Sequence, residues 1–318
     1  MIKHGMILDL NDFSNLEWSQ GPQVLILKDC LRIYFSTRRQ EGKYYYSDSA
    51  YADFDLGSMA LDKVSRHEII SRGKLGTFDF DGIFPFHVFQ DPRSQRVLGF
   101  ICGWKRKVSV DIDMSIGLAE SDDGGETFFR LGEGPILTAN LDESFLIGDP
   151  FLKWIGDRYY MFYIRGEAWL PTSDGHFERQ YRITCATSQD FNSWDRKITG
   201  MVPKRFTTEA QAMPSVACID GVFHLIYCYR DTFDFRKNPL NGYRIGHAFS
   251  RDLESWSISD FEIPLGSSGE WDSEMQCYPQ LFELNEKVYI VYNGNNFGRF
   301  GIGLVELSRE ELASYARF

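Results

Sequence analysis

The chain has 318 residues, of which 43% are hydrophobic and 25% are charged, and its formal net charge is −11. This composition is typical of an ordinary soluble protein, and the length allows one or two domains. An acidic chain without a run of lysine or arginine is poorly suited to bind nucleic acid or an anionic membrane surface. We therefore expect neither of these partners.

The N-terminal stretch MIKHGMILDL contains no long apolar region, so we expect no signal peptide and a cytoplasmic protein. No stretch approaches the roughly 20 apolar residues that a membrane span needs. The six cysteines form no CxxC pair, which is typical of small buried residues in a reducing compartment. The histidines show no metal-ligand spacing, so we expect no metal and no other cofactor. A calcium ion held by acidic side chains is the open alternative.

Five prolines, each at the start of an apolar run, divide the chain into similar units. Successive prolines are 63 to 65 residues apart, and they are Pro22, Pro85, Pro150, Pro214 and Pro279. An aromatic segment follows each proline, namely LRIYFS, RVLGFI, RYYMFY, VFHLIY and KVYIVY. Turn signals precede most of these segments, as a β-hairpin requires.

A third segment ends in serine in four of the units, at Ser121, Ser188, Ser250 and Ser308. After each of the first three serines come a polar turn with an aspartate and then an aromatic residue. These residues are Asp123 and Phe128, Asp190 and Trp194, and Asp252 and Trp256. We expect each aspartate to accept backbone N–H bonds of its own turn. The aromatic residue is expected to pack between neighbouring units.

The sequence therefore predicts an all-β fold, a five-bladed β-propeller with blades of about 64 residues in a single domain spanning 1–318. The last unit offers only three strands, at roughly 279–284, 287–293 and 301–307. The N-terminal segment IKHGMILDL is predicted to supply the missing outer strand and close the ring, which also hides sheet edges. Ser308 and Glu311 form a capping-box pattern, which predicts a short C-terminal helix.

Two sets of polar residues are predicted to meet at one mouth of the central channel. One set precedes the prolines, and the other ends the second strand of each unit, which returns antiparallel to the same mouth. The candidate catalytic residues are Asp81, Asp149, Glu209 and Glu274. The candidate substrate-binding residues are Arg38, His87, Trp104, Arg165, Arg230, Asp272, Gln276, Asn293 and Asn295.

A funnel of carboxylates, amides, arginines and aromatic side chains suits a sugar ligand. Paired carboxylates suit the cleavage of a glycosidic bond, because one protonates the leaving oxygen while the other activates water or attacks. For each acid, the alternative is a structural role in which it caps a loop. The long loop RDTFDFRKNPLNGYRIG carries Arg236, Lys237 and Arg244 and is predicted to form a wall of the site.

Three arginines, Arg38, Arg165 and Arg230, lie at equivalent positions after their prolines. Arginine presents a planar fork that matches phosphate or carboxylate. The arginines either bind an anionic ligand, such as a phosphate, a nucleotide sugar or an acidic sugar, or they pair with the neighbouring acids. Both alternatives stay open at the level of the sequence.

The stretches IGDPFLKWIGDRYYMFY and MPSVACIDGVFHLIYCYR, with the turns SQDFNSW and SRDLESW, resemble the five-bladed propeller glycoside hydrolases of families 32, 43, 62, 68 and 130. The resemblance covers the whole chain and implies a carbohydrate-active protein. It also implies that Asp149 stabilises the transition state or tunes the pKa of the acid. The closing stretch WDSEMQCYPQLF is similar to propellers of bacterial surface-polysaccharide gene clusters, which implies work on a glycan or an activated sugar.

The sequence departs from the family 43 pattern at two places. Gln20 and Gly21 stand where that family has an acid as its base, and Ala212 stands where it has its general acid. Either the acids are redistributed to Asp81, Glu209 and Glu274, or the protein is not a hydrolase.

Three functional hypotheses remain. The favoured one is a glycosidase-like enzyme that cleaves or transfers a glycosyl unit, with a phosphorylase or transferase as a variant. The second is a non-catalytic propeller that binds a glycan or a nucleotide sugar. The third is a scaffold for protein interactions, since a fold by itself does not define a function.

Overall fold

The computed structural model describes residues 1–13, 16–65, 68–196 and 201–317, and its regular structure is almost entirely β. The strands are, in chain order, β1 (Ile2–Asp9), β2 (Gln20–Ile26), β3 (Leu31–Glu41), β4 (Tyr44–Phe54), β5 (Leu61–Val64), β6 (Gly82–Gln90), β7 (Val97–Arg106), β8 (Ile112–Ser121), β9 (Phe129–Arg130), β10 (Ile147–Ile155), β11 (Arg158–Pro171), β12 (Phe177–Ser188), β13 (Asp195–Arg196), β14 (Glu209–Ile219), β15 (Val222–Asp231), β16 (Arg244–Ser250), β17 (Ser257–Ile258), β18 (Cys277–Leu284), β19 (Lys287–Asn293) and β20 (Gly301–Ser308). Short helical segments are α1 (Asn295–Gly298), α2 (Arg309–Ser314) and the 3₁₀ turns Leu10–Asp12 and Pro239–Asn241.

The strands pair in groups of four. Three separate sheets have the orders β10-β11-β12-β13, β14-β15-β16-β17 and β1-β20-β19-β18. The other strands form one larger sheet, in which β2-β3-β4-β5 and β6-β7-β8-β9 are joined only by a parallel bridge between Ser47 and Gly82. We number the resulting groups unit 1 to unit 5, in the order of their first strands β2, β6, β10, β14 and β18.

The first strands of the units lie side by side in a cycle. Strand β2 contacts β6, β6 contacts β10, β10 contacts β14, β14 contacts β18, and β18 contacts β2. The three strands expected for the last unit are confirmed as β18, β19 and β20, and the N-terminal strand β1 pairs antiparallel with β20. Buried aliphatic and aromatic side chains fill the space between units.

The predicted turns after the third strands are confirmed. Asp190 accepts hydrogen bonds from the N–H groups of Asn192 and Ser193, both at 2.9 Å. Equivalent bonds reach Asp123 and Asp252 in units 2 and 4. Phe128 is buried beside Tyr34 of unit 1, with the ring centres 5.9 Å apart, so this aromatic packs between units as expected. The capping box of Ser308 and Glu311 is also present at the start of α2.

Each first strand begins with a β-bulge at its proline. The register with the second strand shifts between Gln20 and Gln23, Ile83 and Phe86, Gly148 and Phe151, Ala212 and Ser215, and Cys277 and Gln280. The residue before the proline has a positive φ in four units: Gly21 (63°), Asp149 (51°), Met213 (52°) and Tyr278 (55°). A non-glycine residue in this region costs about 1–3 kcal/mol, so the surrounding structure must stabilise it.

Hydrogen bonds across units provide that stabilisation. The N–H group before each of these four prolines donates to a side chain of the preceding unit: Gly21 to Asn293 Oδ1 (2.9 Å), Asp149 to Cys102 Sγ (3.4 Å), Met213 to Asp149 Oδ2 (3.1 Å) and Tyr278 to Cys228 Sγ (3.4 Å). Cys102 and Cys228 are therefore buried acceptors as well as small packing residues. Cys185 and Cys277 are buried too, whereas Cys218 is exposed and Cys30 half-buried.

Replacing Asn293 with alanine is expected to destabilise the fold strongly. Its side chain also donates to the carbonyls of Ser19 and Gly301, both at 2.8 Å, so the variant leaves three buried backbone groups without partners. We expect a loss of about 3 kcal/mol in the free energy of unfolding, measured by urea denaturation. Asn192→Ala, in an exposed turn, is the control. A loss below about 1 kcal/mol in Asn293→Ala would contradict this role of Asn293.

Candidate ligand-binding site

A cavity of about 290 Å³ lies where the bulges of the first strands meet. Its lining comes from all five units and consists of Arg38, Phe84, Trp104, Asp111, Ile112, Met114, Asp149, Ile164, Arg179, Tyr181, Ala212, Arg236, Tyr243 and Tyr278. Phe84, Asp149 and Tyr278 each directly precede a proline, so the bulge places their side chains at the cavity.

Asp149 is the buried carboxyl group of this lining, with only 5% of the residue exposed. Its Oδ2 accepts the N–H of Met213 at 3.1 Å. Burial raises the pKa of Asp149 from 3.8 to about 7, against the opposing effects of the Met213 hydrogen bond and the positive charge of Arg179. Both protonation states are therefore populated near neutral pH, which is what a group that donates or accepts a proton requires.

Three arginines face the same cavity. Arg38 and Arg179 are half-buried, whereas Arg236 is exposed and pairs with Glu178. Arg38 donates through Nε to Gln20 Oε1 at 2.7 Å, and its guanidinium carbon lies 5.7 Å from the ring centre of Trp104. Within the described part of the chain, neither Arg38 nor Arg179 forms an ion pair with a carboxylate.

Arg230 lies behind the wall of the cavity and is 1% exposed. It donates to the hydroxyl groups of Tyr181 and Tyr243, both at 3.2 Å, and to the backbone carbonyl of Arg179 at 3.3 Å. Its guanidinium carbon lies 3.6 Å from the ring centre of Phe235. Arg230 thus positions three residues of the lining without contacting the cavity itself.

Aromatic side chains form much of the remaining surface. The ring centres of Phe84 and Tyr278 are 5.1 Å apart, and those of Tyr243 and Tyr278 are 5.6 Å apart. Trp104 is oriented by a hydrogen bond from its Nε1 to Ser47 Oγ at 3.1 Å. Rigid aromatic faces beside charged side chains can stack on the apolar face of a sugar ring while polar groups bind its hydroxyls.

Of the four candidate catalytic acids, the structure places Asp149 in the lining and the other three outside it. Asp81 forms an ion pair with Arg106 and accepts that residue's backbone N–H at 2.7 Å. Glu209 is fully buried and accepts a hydrogen bond from Gln211 at 2.9 Å. Glu274 is exposed. The catalytic roles of all four acids stay predictions.

Of the candidate binding residues, Arg38 and Trp104 line the cavity. His87 lies instead in a second cavity of about 370 Å³, which the first strands of all five units line. One ring nitrogen of His87 is 2.7 Å from Gln23 Oε1, and the other accepts the N–H of Leu152 at 3.0 Å. Burial lowers the pKa of His87 to about 3, so the ring is neutral at physiological pH.

The other candidates make contacts within the protein. Arg165 lies 3.7 Å from Glu167, outside the cavity lining. Asp272 accepts hydrogen bonds from Lys3 and from the hydroxyl of Tyr292, both at 2.8 Å. Gln276 donates to Asp272 and to the carbonyl of Pro264. Asn293 and Asn295 bind backbone groups through both ends of their amides. In the stretch WDSEM, Asp272 therefore has a structural role, and Glu274 is exposed.

Sequence reasoning missed several lining residues. Phe84 and Tyr278 occupy the same position before a proline as Asp149, so a search of that position for every residue type would have found them. Arg179 and Tyr181 lie near the start of β12, the third strand of unit 3, which begins at the mouth where β11 ends. Arg236 belongs to the loop that was predicted to be a wall, and the structure confirms that it lines the cavity.

Within residues 1–13, 16–65, 68–196 and 201–317, no group of three or more histidine, cysteine or acidic side chains could hold a metal ion. In those same ranges, no helix has the length and apolar character that crossing a membrane requires.

Comparison with solved structures places the protein in a class defined by its fold. A solved glycoside hydrolase superposes with a TM-score of 0.73 at 18% identity, covering 99% of this chain and 94% of the hydrolase. The structure of BT0996 in an RGII complex gives a TM-score of 0.73 at 17% identity, with coverages of 96% and 90%. The endo-arabinase of Bacteroides thetaiotaomicron gives 0.62 at 14% identity, with coverages of 96% and 98%. The protein therefore has the propeller-like fold of glycoside hydrolases, which confirms the resemblance seen in the sequence at the level of the fold.

Among curated proteins, the chain is similar in sequence to MT1551 and Rv1502, uncharacterised proteins of two strains of Mycobacterium tuberculosis. Each is 27% identical over 299 residues, which are 92% of this chain and 94% of the relative. No protein-family model matches the chain.

Removing the carboxyl group of Asp149 is expected to stabilise the protein at alkaline pH. An acid whose pKa is raised by folding keeps its proton longer in the folded than in the unfolded state, so a rise in pH from about 4 to about 7 favours unfolding. Asp149→Asn removes this effect, which amounts to at most about 4 kcal/mol above pH 7.

The measurement is the melting temperature of both proteins between pH 5 and pH 8. The melting temperature of Asp149→Asn relative to that of wild type should increase with pH and become constant above pH 7. Asp111→Asn is the matched control, because Asp111 lines the same cavity but is exposed. A difference between wild type and Asp149→Asn that does not change with pH would contradict the raised pKa.

Proposed function

We propose that the protein acts on a carbohydrate ligand, cleaving or transferring a glycosyl unit in the cavity that contains Asp149. The observation that carries this proposal is a single buried carboxyl group with a pKa of about 7, enclosed by aromatic side chains and arginines. Such a group can protonate the oxygen of a leaving group at neutral pH.

We further propose that the fold is one five-bladed β-propeller spanning 1–318, closed by the N-terminal strand. Three features support this architecture: the grouping of strands in fours, the cycle of contacts among the first strands, and the pairing of β1 with β20. In such a ring, the bulges of all five first strands meet at one mouth. This accounts for a cavity lined by residues from every unit.

The size and lining of the cavity support a small sugar ligand. Ligand pockets generally have volumes of about 300–1,000 Å³. The present cavity, at about 290 Å³, lies at the lower end of that range, so we expect one or two sugar rings to fill it. Because three arginines and two aspartates line it, we propose that the ligand carries negative charge. We also propose a cytoplasmic location, as expected from the cysteine pattern of the sequence.

Asp149 is assigned as the proton donor to the departing oxygen. Glycosidic cleavage generally uses a second carboxylate to activate water or to attack. The other carboxylate of the lining is Asp111, at the exposed rim. In a hydrolase, Asp111 would act on water, whereas in a transferase a hydroxyl or phosphate of a second substrate would attack instead.

A non-catalytic binding protein is the second candidate function. Asp81 and Glu209 are occupied by partners within the protein, and Glu274 lies outside the cavity lining. A site with one buried acid and three arginines can bind an anionic sugar without cleaving it.

The test is turnover of a panel of methyl glycosides and disaccharides, with and without inorganic phosphate, by wild type and Asp149→Asn. The leaving alkoxide of these substrates requires a proton, so the loss of a general acid is visible with them. We expect Asp149→Asn to lower kcat at least 100-fold with little change in KM, because general acid catalysis contributes about 10²–10⁴-fold. The wild-type kcat should fall as the pH rises above about 7, since Asp149 must carry a proton.

Two other results would change the assignment. Unaltered turnover by Asp149→Asn would show that a different group supplies the proton. Tight sugar binding with no turnover of any compound would instead favour the non-catalytic function. Asp122→Asn, in the exposed turn after β8, serves as the control substitution.

A further inference from the structure

In the described part of the chain, Arg38 and Arg179 form no ion pair with a carboxylate, whereas many other arginines of this protein do. In the described chain, Arg32 pairs with Asp53 at 2.7 Å, Arg196 with Glu143 at 2.9 Å, and Arg309 with Glu283 at 2.8 Å. Among the same described residues, Arg38 and Arg179 have no such carboxylate partner. The formal net charge of −11 means that acidic side chains are plentiful, yet none of the described ones forms an ion pair with Arg38 or Arg179.

The two guanidinium groups are close enough to affect each other. Burial, together with the positive charges of Arg179 and Arg106, lowers the pKa of Arg38 to about 10, and Arg38 still carries its charge at neutral pH. Arg38 comes from β3 of unit 1, and Arg179 from β12 of unit 3. Like charges brought together from two units are stabilised by an anion placed between them.

Arg230 adds a third positive charge directly behind the wall. It is fully buried, and its partners in the described structure are hydroxyl groups, carbonyl groups and aromatic rings. A buried cation without a carboxylate is costly unless a nearby negative charge compensates it. Asp149, the buried carboxyl group of the lining, compensates this charge only in part near neutral pH, because part of its population is protonated.

The donors of Arg38 and Arg179 suit a group with several acceptor oxygens. Gln20 occupies the Nε of Arg38 and leaves its two terminal nitrogens for a ligand. The guanidinium carbon of Arg38 lies 5.7 Å from the ring centre of Trp104 and 5.9 Å from that of Phe84. The Arg179 side chain makes no hydrogen bond to the rest of the described structure. Arginine binds carboxylate and phosphate oxygens in pairs, with charge-assisted bonds.

We infer that Arg38 and Arg179 form a clamp for the anionic substituent of a sugar, either a phosphate or a carboxylate, and that the sugar ring lies against Phe84 and Tyr278. This inference rests on the proposed carbohydrate function and names its class of ligand. The clamp differs from the arginine set predicted from the sequence, because Arg165 and Arg230 do not line the cavity.

The test is isothermal titration of the full-length protein at low ionic strength with matched probes. These are glucose, galactose and mannose, their uronic acids, and their 1-phosphates, with inorganic phosphate as a competitor. At least one charged sugar should bind at least tenfold more tightly than its neutral counterpart, and inorganic phosphate should compete with it. The uronic acids and the 1-phosphates distinguish a carboxylate ligand from a phosphate ligand.

Arg38→Gln and Arg179→Gln should each weaken binding of that charged sugar at least tenfold. Arg96→Gln is the matched control: it removes the same charge from a residue that is 44% exposed, pairs with Glu120 and lies outside the lining. The Arg96→Gln variant should bind the charged sugar with the affinity of the wild type. Circular dichroism melting verifies the fold of each variant, and either arginine variant alone suffices for the test.

The failures of the clamp and of the proposed function are distinguishable. If neutral sugars bind as tightly as charged ones, or if a folded arginine variant binds a charged sugar as wild type does, the clamp is wrong and the carbohydrate function stands. If no sugar binds, charged or neutral, the clamp and the proposed function are both overturned.

Discussion

The β-bulge before each proline is the constraint on which the rest of the structure depends. It forces the preceding residue into a left-handed conformation in four units, and the N–H of that residue then donates to a side chain of the preceding unit. The same turn directs Asp149 and Tyr278 into the cavity. One local distortion thus joins the units and builds the site, so its energetic cost is offset by contacts between units.

The second organising feature is an uneven distribution of charge. The protein is acidic overall, yet the cavity that contains Asp149 brings together three arginines and one buried carboxyl group that is partly protonated. Carboxylates elsewhere are engaged by arginine, as in the pair of Arg32 and Asp53. Under the proposed function, this contrast would favour the binding of an anionic ligand in the cavity over other places on the acidic protein.

The repeat predicted the arrangement of strands well, because strand length and turn chemistry are local. The repeat predicted the position and the contacts of the side chains less well. Arg165 follows its proline by one residue fewer than Arg38 and Arg230 do, and a shift of one residue in a strand reverses the face on which a side chain lies. Arg230 keeps the same spacing as Arg38, but Tyr181 and Tyr243 hold it behind the wall. Equivalent positions in a repeat are therefore not equivalent in their contacts.

The sequence by itself determined the all-β repeat, the turns with their capping aspartates, and the position of Asp149 before a proline, because each depends on neighbours along the chain. Only the tertiary structure decided which charged side chains meet. Asp81 and Glu209 find partners within the protein, whereas Arg38 and Arg179, from units 1 and 3, are left without carboxylates in the described part of the chain. The raised pKa of Asp149 could not be predicted from the sequence either. Burial by residues of several units raises it, and burial is a property of the assembled fold.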